Sequence, residues 1–180
     1  MAKIVIVYES KAGHTLQYMK WLRDDLSAVM FDVNIVSVES LMNYELILYA
    51  VGVYSNTISG LNFIKKNMSV LRFKKIIVVA VGVMPVNQSM EKLLEDKNYN
   101  DEMKGRFPIF QLRSGFDKSK LNIADKLLLT AWKAKISKKE DRTNDDIMML
   151  GMLDGMTDFT KKENIAPIVE FVEKGRWKLA

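Results

Sequence analysis

The chain has 180 residues, 48% hydrophobic and 27% charged, with a net charge of +5 at neutral pH, a balance that suits one globular domain with a sizeable core. With no cysteine and one histidine, His14, disulfides, thiol catalysis and Cys-based metal centres are excluded, and a His-based metal site lacks ligands, so redox chemistry would need a bound organic cofactor. No apolar run reaches the roughly 20 residues that span a bilayer, and no signal-peptide pattern precedes the first apolar stretch, so the cytoplasm is the expected location.

Lys3-Ile4-Val5-Ile6-Val7-Tyr8 is a β-branched run without alternation, the pattern of a strand buried on both faces. A polar turn over Glu9 to Thr15 follows. Leu16, Met19, Leu22 and Leu26 then recur at helical spacing, with Trp21 and Val29 close to that stripe. Asp32 to Val38 reads as a second strand, and Leu46 to Val51 as a third that ends at Gly52. A helix over Leu61 to Leu71 leads to a fourth strand, Lys75 to Val81. After Gly82 to Asn87 a helix runs from Ser89 to Glu95. Phe107 to Leu112 forms a fifth strand with Pro108 near its start. Residues 120–136 predict an amphipathic helix with Leu121, Ala124, Leu127, Leu128, Ala131 and Trp132 near one face. Thr143-Asn144-Asp145-Asp146 is a capping start for a short helix. A last helix begins near Asn164, takes Pro167 in its first turn and ends near Gly175.

This alternation argues for an α/β fold: a doubly wound, five-stranded parallel sheet with helices on both faces and a helical C-terminal segment. No repeat or linker interrupts it, so residues 1–180 read as a single domain. Right-handed crossovers leave few topologies, among them the order 2-1-3-4-5, whose ligand crevice lies at the carboxyl ends of strands 1 and 3.

The loop at that edge is Ser10-Lys11-Ala12-Gly13-His14-Thr15. Two hydroxyls and a glycine meet the amides and positive dipole end of a helix start, which makes a site for a terminal phosphate. One glycine cannot supply the dinucleotide pattern G-x-G-x-x-G, and the Gly-Lys-Ser/Thr of a P-loop is missing, so a phosphomonoester suits the loop better. Beside it lie Tyr54-Ser55-Asn56-Thr57-Ile58 after the third strand, and Val83-Met84-Pro85 with Asn87 after the fourth. Tyr54 can stack on a flat ring while Asn56, Thr57 and backbone amides bond to its polar edge. Taken singly, the first loop also fits an ordinary capped helix and Tyr54 a surface aromatic. Together the three loops point to a phosphorylated ring cofactor.

Tyr8-Glu9-Ser10-Lys11-Ala12-Gly13-His14-Thr15 resembles the flavodoxin phosphate loop Ser/Thr-x-Thr-Gly-x-Thr, with Ala12 in place of the middle hydroxyl residue. Within flavodoxin-like proteins the chain resembles the quinone-dependent protoporphyrinogen oxidases and related flavodoxin-domain proteins. Leu112-Arg113, the basic Leu-rich helix and Thr157-Asp158-Phe159, which resembles a Thr-Asp-Trp of that family, carry this second likeness. The resemblance implies FMN as cofactor, held by the residues of the three loops, and a quinone or a redox protein as partner. Three functions stay open: an FMN oxidoreductase, possible substrates including a protoporphyrinogen; an electron carrier without its own substrate; and an FMN-free interaction protein of the same fold.

The charge is regional. Residues 113–142 hold nine Lys/Arg against four Asp/Glu, and the remainder balances at 18 against 18. A solvated helix face gives such a pattern, and so does contact with an anionic membrane surface at the inner face of the membrane, with Trp132 at the headgroups. An acidic substrate whose carboxylates meet Arg113 or Lys118 is also consistent. No interleaved aromatic pattern suggests nucleic-acid binding.

Overall fold

The structure, a computed structural model, describes residues 3–117, 119, 123–143, 146–147, 150–151 and 156–178. Three strands take the long apolar runs: β1 (Ile4–Tyr8), β3 (Leu46–Tyr54) and β5 (Lys75–Gly82). These runs are apolar on both faces because both faces are covered. Val5 to Val7, Leu46 to Val51 and Val78 to Ala80 have no exposed surface. With β2 (Val29–Asp32) and β6 (Ile109–Arg113) they form a parallel sheet in the order β2-β1-β3-β5-β6. A short β4 (Thr57–Ile58) returns antiparallel on the end of β3. Counting parallel strands alone, this is the expected 2-1-3-4-5 arrangement.

Alternate residues of each strand feed two cores. Val5, Val7, Ile47, Tyr49, Val51 and Val78 face one side, with residues of α2 (Val38–Leu41), α3 (Leu61–Lys66), α4 (Met68–Leu71) and α5 (Gln88–Asn98). Ile6, Leu48, Ala50, Ile77 and Val79 face the other, with residues of α1 (His14–Leu26) and of the last helix, Ala166–Glu173. Tyr18 cross-braces this second side. Its hydroxyl donates to the Arg113 carbonyl at 2.7 Å and accepts from Asn164 Nδ2 at 2.7 Å.

Three elements differ from the sequence reading. The second strand is Val29–Asp32 rather than Asp32 to Val38, because Ser27 ends α1 in the left-handed region and the chain enters the strand at once. Asp32 then accepts from the Asn34 N–H at 2.9 Å, a side-chain turn that stops the strand, and Val38 opens a helix instead. The helix expected over 61–71 breaks at Asn67, whose side chain donates to the Phe63 carbonyl at 2.8 Å.

The chain divides into two compact units, one of residues 1–114 with 160–180 and one of residues 115–159. In the smaller unit, β7 (Phe116–Asp117) pairs antiparallel with β8 (Met156–Thr157), and α6 spans Ile123–Ser137. Ile123 is 88% exposed, Leu127 73% and Trp132 40%, while Ile136 is buried. Leu121 and the side chains of Ala124 and Leu128 lie outside the described residues. Thr143 and Asp146 cap each other: Asp146 Oδ2 accepts the Thr143 N–H at 2.9 Å and Thr143 Oγ1 accepts the Asp146 N–H at 3.1 Å. A hydrogen bond from Lys139 at 2.6 Å, helped by the Thr143 N–H, pushes the Asp146 carboxyl down to about 2.

Candidate functional site

The parallel order sets the carboxyl ends of β1, β3 and β5 side by side, so the three loops named from sequence emerge along one edge. Ser10, Lys11, Ala12 and Gly13 join β1 to α1. Gly13 is the N-cap, with φ +93°, and a Cβ there would meet nothing within 4 Å. Its glycine is required by backbone conformation, and the space above it is open. The first turn of α1 holds no acidic residue. Helix starts leave backbone N–H groups without intrahelical acceptors; here the Ser10 hydroxyl accepts the Leu16 N–H at 3.2 Å. Thr15 is buried beneath the loop. His14 Nδ1 lies 3.0 Å from Thr160 Oγ1, which ties the loop to the C-terminal segment of the same unit.

The second loop is a tight turn between β3 and β4. Ser55 and Asn56, at φ +49° and +61°, are two successive non-glycine residues in the left-handed region. Tyr54 is half-exposed and its ring lies over Gly52, where a Cβ would come within 2.9 Å of the ring. Lys11 Nζ stands 5.3 Å from the centre of that ring and 3.9 Å from Glu9 Oε1, which joins the first loop to the second. Thr57 is exposed, whereas Ile58 is buried in the core, so its side chain anchors the turn. At the far end of the loop the Tyr49 hydroxyl donates to the Gly60 carbonyl at 2.7 Å. The tyrosine is held above its ordinary titration range, first by burial and then by the Glu9 carboxylate.

In the third loop the carbonyls of Val83 and Met84 are held from β6, by Arg113 Nε at 3.3 Å and Gln111 Nε2 at 3.4 Å. Pro85 follows, half-buried. Asn87 caps α5, its Oδ1 accepting the Met90 N–H at 2.9 Å. Gly82 lets β5 approach β3 closely, because a Cβ there would lie 3.0 Å from Val53 Cβ.

Sequence reasoning missed the residues that hold these loops from behind. Lys97 Nζ donates to the Ser55 carbonyl at 3.1 Å, and buried Asn98 bonds to Asn56 and Ile58. Both lie some 40 residues from the turn they grip, and only a capping-type residue at the end of a helix marks them in the sequence.

The arrangement sets an open, glycine-led helix start beside a half-exposed tyrosine, a geometry suited to an anion and a flat ring. In solved structures the chain is similar to the flavodoxin, WrbA-like protein from Agrobacterium tumefaciens at 15% identity, covering 69% of this chain and 88% of that one with a TM-score of 0.41. It is similar to the Megasphaera elsdenii flavodoxin at 13% identity, covering 61% and 83% with a TM-score of 0.45. A Fusobacterium nucleatum flavodoxin variant bound to flavin mononucleotide is 18% identical, with 61% and 68% covered and a TM-score of 0.40. No curated protein matches the chain in sequence. The flavodoxin domain model matches residues 5–144, from β1 beyond α6, and on that match the chain belongs to the flavodoxin domain family.

Proposed function

We propose that the chain binds FMN, with the phosphate at Ser10–Thr15 and the ring beside Tyr54 and the Val83–Pro85 loop. The observation that carries this reading is the junction of an open glycine-led helix start with an aromatic turn, bridged by Lys11 over Tyr54. Ser10 and Thr15 supply hydroxyls, the α1 amides supply donors, and the absence of an acidic residue in the first turn leaves the dipole end uncompensated. Bound flavin supplies electron exchange; the protein binds and orients it.

The finer reading is an oxidoreductase. A reduced, carboxylate-bearing substrate of the porphyrinogen class gives up electrons, and a quinone or a redox protein receives them. The charge of +5 supports an acidic substrate over docking to a basic partner. The runner-up is an electron carrier, which would show no quinone-linked turnover without a partner reductase. The test of the shared step is the absorption spectrum after FMN is added and the excess removed. A retained flavin spectrum, with FMN bound more tightly than riboflavin, is the expected result; a colourless protein overturns the reading.

The exposed stripe of α6 supports a further part of this reading, contact between residues 113–142 and an anionic membrane surface. Ile123 and Leu127 project into solvent with Lys126, Lys135 and Lys138 exposed on the same helix and the turn that follows it. No described helix is long and apolar enough to cross a membrane. Sedimentation with vesicles should show binding to anionic phosphatidylglycerol that is lost at high salt and absent with phosphatidylcholine. Equal pelleting with both lipids, or with neither, removes this part.

A further inference from the structure

The end of α5 grips the turn that faces the ring site. Asn98 is 7% exposed and uses its whole amide: Oδ1 accepts the Ile58 N–H at 2.8 Å, and Nδ2 donates to the Asn56 carbonyl at 2.9 Å and the Leu94 carbonyl at 2.8 Å. The preceding residue, Lys97, donates to the Ser55 carbonyl at 3.1 Å. One helix end therefore holds two consecutive carbonyls of the turn, those of Ser55 and Asn56, and the Ile58 amide beyond Thr57.

Those two carbonyls belong to the residues at positive φ, Ser55 and Asn56. L residues disfavour that region, and they persist in it only where the surroundings hold them. Burial of Ile58 fixes the base of the turn but not its tip. The tip carries Tyr54 and the polar groups that would meet a ring.

We propose that Asn98 is a positioning residue for the flavin ring, and that with Lys97 it sets the Tyr54–Thr57 turn before the ligand arrives. The proposal rests on the FMN reading above. A turn already in its binding shape spares the ligand the ordering cost of the loop, so the effect falls on the ring and not on the phosphate.

The ring-only signature gives the test. Asn98→Asp keeps the acceptor for Ile58 and loses both donations; Asn98→Ala loses all three bonds; Lys97→Met removes the bond to Ser55 from an exposed residue. Dissociation constants for FMN and riboflavin are measured by flavin fluorescence, beside thermal melts of the ligand-free proteins. The expected result for Asn98→Asp is that both ligands weaken by the same factor, about tenfold, the size of one or two lost buried hydrogen bonds. Lys97→Met weakens both by a smaller equal factor, and serves if the Asn98 variants do not fold. A lowered melting temperature with both affinities unchanged overturns the proposal, because a purely structural role gives that pattern. Loss of FMN affinity alone overturns it too. If the unaltered protein binds neither flavin, the FMN reading itself has failed, and that result is distinct from either of these.

Discussion

Gly13→Asp is expected to weaken FMN binding at least about 100-fold, or ~2.7 kcal/mol, while riboflavin binding stays within about twofold. Any side chain at this φ strains the backbone, so the effect of charge is read against a neutral side chain of the same shape. Gly13 has φ +93° and open space where a Cβ would go, and aspartate enters positive φ more readily than most residues. What it adds is a negative charge at the helix start where the phosphate would sit. Two unit charges ~5 Å apart at an effective dielectric of ~20 repel by about 3 kcal/mol, and a phosphomonoester carries more than one charge. Solvent at this exposed loop takes back part of that. Gly13→Asn separates charge from shape and should lose only a few-fold. Isothermal titration of both flavins against the three proteins checks the result, with circular dichroism to show that each is folded. Equal weakening of FMN and riboflavin by Gly13→Asp would move the phosphate away from this loop.

The sheet was legible where burial on both faces demands unbroken apolar runs, and β1, β3 and β5 follow such runs closely. β2 was misplaced because it is a four-residue edge strand, at most half-buried, whose apolar run is only Val29-Met30-Phe31 and follows directly on the helix. Val29 fitted the spacing of the preceding helix, and only the left-handed Ser27 ends that helix in time. The first loop was legible for a different reason. A Ser/Gly/Thr junction between a buried strand and a helix has few roles, and the residues fall as expected around the start of α1. In the second loop the sequence could not separate solvent-facing from core-facing positions, so Ile58 was grouped with Tyr54 although its side chain is buried. Tyr18, Lys97 and Asn98 were invisible because the partners they brace lie 40 to 146 residues away, and hydrogen-bond partners at that range carry no periodic signal.

Above pH ~10 the protein is expected to lose stability at up to about 2.7 kcal/mol per pH unit from two buried tyrosines, Tyr49 and Tyr99. Burial holds both hydroxyls above their ordinary range, reinforced by Glu9 for Tyr49 and by Glu95 for Tyr99. A group whose folded value is raised keeps its proton in the native state after the unfolded chain has released it. The contribution is therefore complete below the unfolded value, near 10, and is lost as pH rises from there toward the folded value. The two tyrosines differ at neutral pH. Tyr49→Phe removes the 2.7 Å bond to the Gly60 carbonyl and should cost about 1 kcal/mol. The Tyr99 hydroxyl is buried without a hydrogen-bond partner, so Tyr99→Phe should be neutral or stabilising. Each variant should remove about half of the alkaline slope and the double variant nearly all of it, over whatever background the lysines contribute. Urea unfolding at pH 9, 10 and 11 measures this, and an unchanged slope in the double variant would sink the assignment. The functional consequence sits at Tyr49, because its bond to Gly60 closes the far end of the loop that carries Tyr54, the proposed ring site. Tyr49→Phe should therefore loosen flavin binding already at neutral pH, whereas Tyr99→Phe should leave it unchanged.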